Sequence, residues 1–397
     1  MSAAAALDAR LRGQLEALAA RGLHRQRRIV DGAHGVSIRV DGRDCLCFCA
    51  NDYLGLAADP RLAEAAARAL RASGTGSGAA ALVSGHNREH RALEGEIADF
   101  LGCESALLFA NGWAANLGAL PALAGRGDTI CSDALNHASL IDGARLSRAA
   151  ITRVPHADAA AFDAALAEAG DGALAVSDGV FSMDGDTAPL PALAASCAQR
   201  GATLYVDDAH GFGTRGPGGR GSLAAAGLTH SEAPVYVATL GKAVGAAGAF
   251  VAGSHTLIDW LVQRARTWVF STAPPPWVAA AARAGLAIIR AEPERQERLA
   301  ANIRHFRTGA AERGLAVGAS ETAIQPLVLG DAARTMRVSR ALWERGFWVA
   351  GIRPPTVPEG TSRLRIALSA AHSREQIEAL LDALAAVLVA ETEGASA

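Results

Sequence analysis

Residues 203–213 read TLYVDDAHGFG, an apolar run that ends in Asp207 and continues into a glycine-flanked loop with His210. The run predicts a buried strand that places the Asp207 carboxylate at its carboxyl end. Such a carboxylate can be a metal ligand, the acid of a Walker B motif, the partner of a protonated heterocyclic nitrogen, or a cap of the next helix. This stretch alone leaves all four alternatives open.

Similar apolar runs lie on both sides of this strand and alternate with alanine-rich helical stretches. The clearest runs cover residues 106–110, 129–132, 173–177, 203–207, 235–239 and 249–252. Strands that alternate with helices predict an α/β fold with a mostly parallel central sheet. Four of the runs end in Ser, Asp or Thr. Because open α/β sheets bind ligands at the carboxyl ends of their strands, we expect a site at this edge.

A lysine in a glycine-rich segment is the second indication of chemistry. Residues 235–250 read VYVATLGKAVGAAGAF, with Lys242 after a predicted strand. A Walker A loop does not fit, because Tyr236 and Ala243 stand where its first Gly and its Ser or Thr are required. Lysine is scarce in this sequence, and an imine can form on an amine but not on a guanidinium. The segment favours a Schiff-base lysine, with an ordinary surface lysine as the alternative.

Three further segments place polar or aromatic groups after predicted strands. NGWAAN (residues 111–116) starts a helix whose free amides suit a phosphate, and its Trp113 either faces a planar ring or belongs to the core. DALNHASLIDG (residues 133–143) contributes His137, and SDGVFSMDGD (residues 177–186) contributes Ser182. Each segment alone is a weak signal.

The chain divides by pattern into three predicted parts. These are an N-terminal helix with a short β extension (residues 1–50), a large α/β domain (51–290) and a smaller α+β domain (291–397). We predict a helix over residues 2–20 and β structure within 36–50. After residues 274–276, all proline, a long helical pattern runs to about residue 313. Strands over 323–329, 347–352 and 363–369 and a helix over 373–389 complete the prediction.

Composition excludes several classes of protein. The 397 residues are 50% hydrophobic and carry 38 basic and 40 acidic side chains, which is unlike a disordered chain or a nucleic-acid arm. No run of 18 apolar residues predicts a membrane span, and the N-terminus lacks an apolar signal core, so we expect a cytoplasmic protein. Cys45, Cys47 and Cys49 alternate with the period of a strand. They are interpreted as packed thiols, and no metal site is predicted.

Six segments together resemble one family. NDYLG (51–55), NGWAAN, DALNHASL, DGVFSMDGD, VDDAHGFG and the T-x-G-K run at 239–242 are similar to the α-oxoamine synthases, pyridoxal-phosphate enzymes with the fold-type I aminotransferase architecture. The resemblance covers roughly residues 20–390. It implies a homodimer with a shared active site, bound pyridoxal 5'-phosphate, and decarboxylative condensation of an amino acid with an acyl thioester.

The resemblance also implies individual roles. Lys242 would carry the cofactor as a Schiff base, and Asp207 would keep its pyridine nitrogen protonated. His137 would stack on the ring face and touch the substrate, while His210 would bond the phenolic oxygen. The remaining cofactor contacts implied are Gly112, Trp113, Ser182, Thr239 and Thr272, of which the last is expected from the partner subunit.

Within the family, IQPLVLGD (324–331) and the stretch 351–372 are very similar to members that join L-alanine to a pimeloyl thioester in biotin biosynthesis. This implies Arg353 near the amino-acid carboxylate and Thr356 near the substrate. Prolines on either side of this segment predict a rigid loop that aims the guanidinium at a carboxylate. Arg25, Asn51 and His137 are the other implied substrate residues.

Two other functions remain open. One is the related 2-amino-3-ketobutyrate ligase reaction, which uses glycine and acetyl-CoA. The other is a non-catalytic scaffold that keeps the cofactor-binding fold. For the reaction of L-alanine with a pimeloyl thioester, the acyl carrier is either coenzyme A or acyl carrier protein. No nucleic acid or membrane partner is expected.

Overall fold

A computed structural model of the chain describes residues 2–395, with side chains described up to residue 391. The described residues form two compact units. The larger contains residues 51–301 and 369–371, and the smaller contains residues up to 50, 302–368 and 372 onwards. Whether residues 1–50, 51–290 and 291–397 behave as three domains stays a prediction.

The strands in chain order are β1 (Val30–Asp31), β2 (Ser37–Val40), β3 (Arg43–Cys47), β4 (Ser105–Phe109), β5 (Thr129–Asp133), β6 (Ala150–Val154), β7 (Leu174–Asp178), β8 (Thr203–Asp207), β9 (Val235–Thr239), β10 (Ala249–Gly253), β11 (Ile324–Gly330), β12 (Phe347–Trp348), β13 (Ala350–Ile352) and β14 (Ser362–Ala367).

The α-helices are α1 (Ala3–Ala20), α2 (Pro60–Ser73), α3 (Arg88–Leu101), α4 (Gly112–Leu123), α5 (Ala138–Ser147), α6 (Ala159–Ala169), α7 (Leu190–Arg200), α8 (Ser222–Ala225), α9 (His255–Arg264), α10 (Arg266–Val269), α11 (Pro276–Ala291), α12 (Glu294–Glu312), α13 (Ala332–Glu344) and α14 (Arg374–Ala395).

The larger unit is built on a seven-stranded sheet with the order β4-β10-β9-β8-β7-β5-β6. Every strand is parallel to the others except β10, which pairs antiparallel with both β9 and β4. Its inner strands are rich in β-branched and aromatic residues, and Leu204, Val206 and Val237 are fully buried. Helices α4, α5 and α9 pack on one face of this sheet. The predicted α/β class is confirmed.

The smaller unit contains two sheets. One is four-stranded, with the order β1-β2-β3-β12, and the other is three-stranded, with the order β11-β14-β13. The predicted single strand over 347–352 is wrong, because its two halves join different sheets. Phe347 pairs with Leu46 of β3, whereas Ala350 pairs with Arg365 of β14.

The prediction of one long helix after the three prolines is also wrong in one respect. The segment forms two helices, α11 and α12, separated at Glu292 and Pro293. Proline has no N–H for a helical hydrogen bond and disfavours helical geometry in the residue before it, so the first helix ends there. Among the described residues, no helix combines the length and apolarity that crossing a bilayer requires.

Candidate active site

Acidic residues end three neighbouring parallel strands of the large sheet. Asp133 ends β5, Asp178 ends β7 and Asp207 ends β8, and the register sets Asp178 directly beside Asp207. All three carboxylates are buried. Since a buried charge is unfavourable without hydrogen-bond donors, this sheet edge is built to hold polar groups.

Lys242 lies in the loop after β9. Its Nζ is 2.8 Å from Nε2 of His210. Nδ1 of His210 is in turn 2.6 Å from the hydroxyl of Tyr53, which donates to Oδ1 of Asn51 at 3.0 Å. Lys242 is the only lysine in the whole sequence, so it is the only side chain that can form a Schiff base.

The loop around Lys242 requires glycine for steric reasons. Gly245 has φ +74°, and a Cβ there would lie 2.5 Å from the backbone carbon of Leu56. Both the left-handed backbone and the close approach require glycine. The loop is therefore held tightly against the segment that follows Tyr53.

Asp207 is fixed by two donors. Its Oδ1 accepts from the N–H of Ala209 at 3.0 Å, and its Oδ2 accepts from Nδ2 of Asn116 at 2.6 Å. Asn116 in turn accepts from the hydroxyl of Tyr205 at 2.7 Å. Both oxygens of this carboxylate therefore accept a hydrogen bond, which fixes its orientation. Sequence analysis did not single out Asn116; the available signal was a lone amide within the apolar helix α4.

His137 lies immediately before α5 and is held at two points. Its backbone N–H donates to Oδ2 of Asp178 at 2.6 Å, and its ring Nδ1 lies 2.7 Å from Oγ of Ser139. The indole of Trp113 meets the imidazole edge-on, with 6.1 Å between ring centroids. The imidazole is thus oriented by the sheet edge and by the first turn of α5.

Burial lowers the pKa of His137 and so favours its neutral form. Desolvation by the surrounding protein is the main cause that lowers its pKa; the charge of Lys242 also lowers it, while that of Asp207 acts in the opposite direction. Burial, together with the neighbouring charge of Asp207, raises the pKa of Asp178 well above its ordinary range. The site thus combines the imidazole of His137 with the carboxylate of Asp207 and the amine of Lys242.

The other residues expected to hold the cofactor lie at the start of α4, at the end of β9 and on loops of the same unit. Asn111 caps α4, so the helix begins at Gly112 as predicted, and nothing lies within 4 Å of where a Cβ on Gly112 would point. Trp113 lies outside the core, with 44% of its surface exposed. Thr239 donates its hydroxyl proton to the carbonyl of Gly248 at 2.9 Å.

Two further expected cofactor contacts occupy less enclosed positions. Ser182 is half-buried on the loop after β7. Thr272 is exposed, and its backbone forms a bridge with Ala80. The roles given to these residues and to Gly112, Trp113 and Thr239 stay predictions.

Sequence analysis missed a half-buried ion-pair clamp. Nδ1 of His156 is 3.0 Å from Asp133, and its Nε2 is 2.7 Å from Asp186. The two carboxylates raise the pKa of His156 to about 10, so it is a cation at neutral pH. It ties the end of β5 to the loop that carries Ser182. The residue was overlooked because it follows β6, an exposed edge strand without a strong apolar pattern.

The implied substrate residues of the smaller unit come together within that unit. Nη2 of Arg25 is 3.5 Å from Oγ1 of Thr356, and Nη2 of Arg353 donates to the carbonyl of His24 at 2.9 Å. Nε of Arg353 is buried without a partner among the described residues. Burial and the charge of Arg25 lower the pKa of Arg353. Two guanidinium groups with an unused donor suit an anion, and the substrate roles given to Arg25, Arg353 and Thr356 stay predictions.

The comparisons with known proteins agree with this arrangement. The sequence profile of class I and II aminotransferases matches residues 43–384. An 8-amino-7-oxononanoate synthase of Methylococcus capsulatus is 56% identical over 372 residues, which cover 94% of this chain and 96% of that protein. The chain belongs to the 8-amino-7-oxononanoate synthase family. Another member, from Alkalilimnicola ehrlichii, is 53% identical over 97% of this chain and 99% of its own.

Solved structures of two related enzymes share the fold of this chain. A serine palmitoyltransferase of S. paucimobilis with a bound PLP–myriocin aldimine superimposes with a TM-score of 0.91 at 30% identity, covering 96% of this chain and 97% of that chain. An 8-amino-7-oxononanoate synthase of Francisella tularensis superimposes with a TM-score of 0.77 at 28% identity, covering 88% and 99%. The expected family, fold type, acyl-transferring enzyme class and pyridoxal-phosphate dependence are confirmed.

The residues present fit the cofactor of the 8-amino-7-oxononanoate synthases. An amine for its aldehyde is provided by Lys242 alone, and a buried carboxylate held by two N–H donors suits its protonated ring nitrogen. The open N-terminus of α4 at Gly112 suits its phosphate.

Proposed function

We propose that the chain condenses L-alanine with a pimeloyl thioester and releases 8-amino-7-oxononanoate, CO₂ and the free thiol of the carrier. The observation that carries this proposal is the pairing of the only lysine with His210, at 2.8 Å, in a chain of this family. Neither of the other two functions left open by the sequence has an observation of its own in its favour.

Pyridoxal 5'-phosphate, when bound, supplies an aldehyde that reacts with amines and a ring that withdraws electrons from the substrate α-carbon. Lys242 would hold the aldehyde carbon through Nζ. Asp207 would keep a proton on the ring nitrogen, and hydrogen bonds from Ala209 and Asn116 hold its carboxylate in place. His210, fixed by Tyr53, would contact the phenolic oxygen.

Two side chains of this site would then move protons. The amine of Lys242 would act as the general base that takes the α-proton of L-alanine. After the α-carbon has attacked the thioester and the thiol has left, His137 would donate a hydrogen bond to the substrate carbonyl oxygen during loss of CO₂. The lowered pKa of His137 keeps it neutral, so it does not repel the amine.

Substrate recognition would use the guanidinium groups of the smaller unit. Arg353 would bind the carboxylate of L-alanine, and the unpartnered Nε leaves one donor of its planar fork available. Thr356 and Arg25 lie beside each other and would contact the rest of the substrate. Asn51, which accepts from Tyr53, would contact substrate from the larger unit.

A homodimer with a shared active site is part of the proposal. Four large apolar side chains lie on neighbouring segments of the larger unit: Leu82 (55% exposed), Val83 (79%), Trp113 (44%) and Phe270 (71%). Because a patch of this kind is unfavourable in water, it suits burial against a second copy. Thr272 lies two residues from Phe270 and would reach the partner's cofactor. Sedimentation should give a dimer, and Val83→Arg should give a monomer; a monomeric wild type overturns the proposed homodimer.

The cytoplasmic location stays a prediction.

One assay tests the reaction. The holoenzyme is given L-alanine with pimeloyl thioesters of coenzyme A and of acyl carrier protein, and glycine with acetyl-CoA as the comparison. We expect CO₂ release and 8-amino-7-oxononanoate with at least one pimeloyl carrier and little turnover of the glycine pair. Turnover of the glycine pair alone would favour the ligase reaction, and a colourless protein without turnover would favour the scaffold.

A further inference from the structure

Asn116 lies at the centre of a hydrogen-bond network inside the larger unit. Its Nδ2 donates to Oδ2 of Asp207 at 2.6 Å and to Oγ of Ser139 at 2.8 Å, and its Oδ1 accepts from the hydroxyl of Tyr205 at 2.7 Å. All four residues are buried, with exposed fractions of 4% or less. Such a network has one low-energy arrangement, since each buried polar atom lost from it is costly.

The direction of every hydrogen bond in this network follows from Asp207. Oδ1 of Asp207 accepts from the N–H of Ala209, and the amide of Asn116 turns its NH₂ group towards Oδ2 of Asp207 and its oxygen towards Tyr205. One amide proton goes to the carboxylate and the other to Ser139. Tyr205 must donate, because the amide oxygen can only accept.

The last link in the network sets the protonation of His137. Ser139 accepts from Asn116, and its hydroxyl lies 2.7 Å from Nδ1 of His137. The backbone N–H of Ser139 also points at Nδ1, at 3.3 Å. A protonated Nδ1 would place one N–H against another, so Nδ1 must be the acceptor, and the hydroxyl proton of Ser139 points towards it.

We infer that Asn116 and Ser139 are positioning residues which hold the proton of neutral His137 on Nε2 and couple this histidine to Asp207. With Nδ1 occupied, Nε2–H is the ring's one hydrogen-bond donor. The tautomer is a property of the chain itself. Its use, as the donor to the substrate carbonyl oxygen, rests on the proposed function.

The tautomer can be read directly. The holoenzyme, labelled with ¹⁵N-histidine, is examined by long-range ¹H–¹⁵N correlation spectra, and the His137 signals are assigned by their loss in His137→Asn. We expect a protonated Nε2 and an unprotonated Nδ1. In Ser139→Ala, the hydroxyl is absent and only the longer contact from the backbone N–H, at 3.3 Å, opposes a protonated Nδ1, so we expect part of the population to move its proton to Nδ1. A protonated Nδ1 in the wild type, or an unchanged pattern in Ser139→Ala, overturns the inference.

Helix α5 offers a matched control. Ser147 is also buried on α5, but its hydroxyl donates to the carbonyl of Ala144 at 2.6 Å and lies outside the network. Ser147→Ala should therefore leave the His137 spectrum unchanged. Asn116→Ala risks unfolding the edge of the sheet. Ser139→Ala is therefore the variant that tests the tautomer of His137.

Kinetics separate this inference from the proposed function. Ser139→Ala should lower kcat about tenfold, less than the loss of roughly 100-fold or more that removal of a proton-transferring group itself causes, and leave the KM for L-alanine within about twofold. A wild type that makes no product from either pimeloyl thioester contradicts the proposed function, yet its His137 tautomer can still be read. An active wild type with Nδ1 protonated contradicts this inference alone.

Discussion

Nζ of Lys242 lies 2.8 Å from Nε2 of His210, and the other nitrogen of that imidazole faces the hydroxyl of Tyr53 at 2.6 Å. The amine of Lys242 is thus positioned by His210, and His210 is in turn positioned by Tyr53. Because the chain contains no second lysine, any chemistry that needs a side-chain amine must take place at this point. This gives the covalent chemistry an unusually direct test.

Reduction of the holoenzyme with borohydride should attach the cofactor permanently to Lys242. Peptide mapping by mass spectrometry should find the label on that residue, and the N-terminal amine is the only other candidate. Lys242→Ala should lose both turnover and the visible absorbance of the loaded enzyme. Lys242→Arg is the control that keeps the charge but cannot form an imine. Label at the N-terminus alone, or an unaltered spectrum in Lys242→Ala, would contradict the assignment.

Tyr53→Phe tests whether the hydrogen bond between Tyr53 and His210 contributes to activity. The variant keeps the ring but loses the hydroxyl that contacts both Asn51 and His210. We expect kcat to fall by about tenfold, because a misaligned imidazole holds the amine and the cofactor less well. Steady-state kinetics and cofactor release on dilution measure the effect. Tyr236→Phe is the matched control, since this equally buried hydroxyl donates to Asp208 at 2.7 Å instead; an equal loss of kcat in both variants would exclude a specific role.

The clamp at His156 predicts a pH dependence of stability. Its pKa is raised in the folded state to about 10, mainly by hydrogen bonds to Asp133 and Asp186. The stabilisation is fully present below the unfolded pKa of roughly 6.5 and is lost as the pH rises through about 10. We expect the free energy of unfolding to fall by about 1–2 kcal/mol over this interval, less than the full linkage value because solvent screens part of the ring.

Urea unfolding of the wild type and of His156→Gln, at a series of pH values, measures this effect. The neutral variant should be less stable at neutral pH and should lack the decline between neutral and alkaline pH. If both proteins lose stability in parallel, the ion pairs do not contribute as the structure indicates.

The inner strands could be predicted from the sequence because burial on both faces leaves continuous apolar runs. The expected strand over 203–207 matches β8, and the others differ from the observed bounds by one residue at one or both ends or match them. Polar residues at the ends of these runs also indicated the edge where Asp207 and His210 lie. The family resemblance then assigned roles that the spacing had left open.

Other features could not be found from the pattern. Strand β6 lies at the sheet edge and four of its five residues are exposed, so it has little apolar signal. The contact between Asn116 and Asp207 joins residues 91 positions apart, and that of His156 with Asp133 depends equally on strand order. Which polar side chains meet is decided by the register of the sheet, and a single sequence does not reveal that.

Arg353→Lys tests recognition of the amino-acid carboxylate. A lysine keeps the charge but loses the planar fork, and in particular the Nε donor that has no partner among the described residues. We expect the KM for L-alanine to rise by about tenfold or more while kcat changes little, since a lost uniform binding contact affects KM alone. Arg345→Lys is the control, because this exposed arginine bonds only to the backbone of its own helix among the contacts described. A drop in kcat with an unchanged KM would instead place Arg353 with the reacting atoms and would remove it from carboxylate binding.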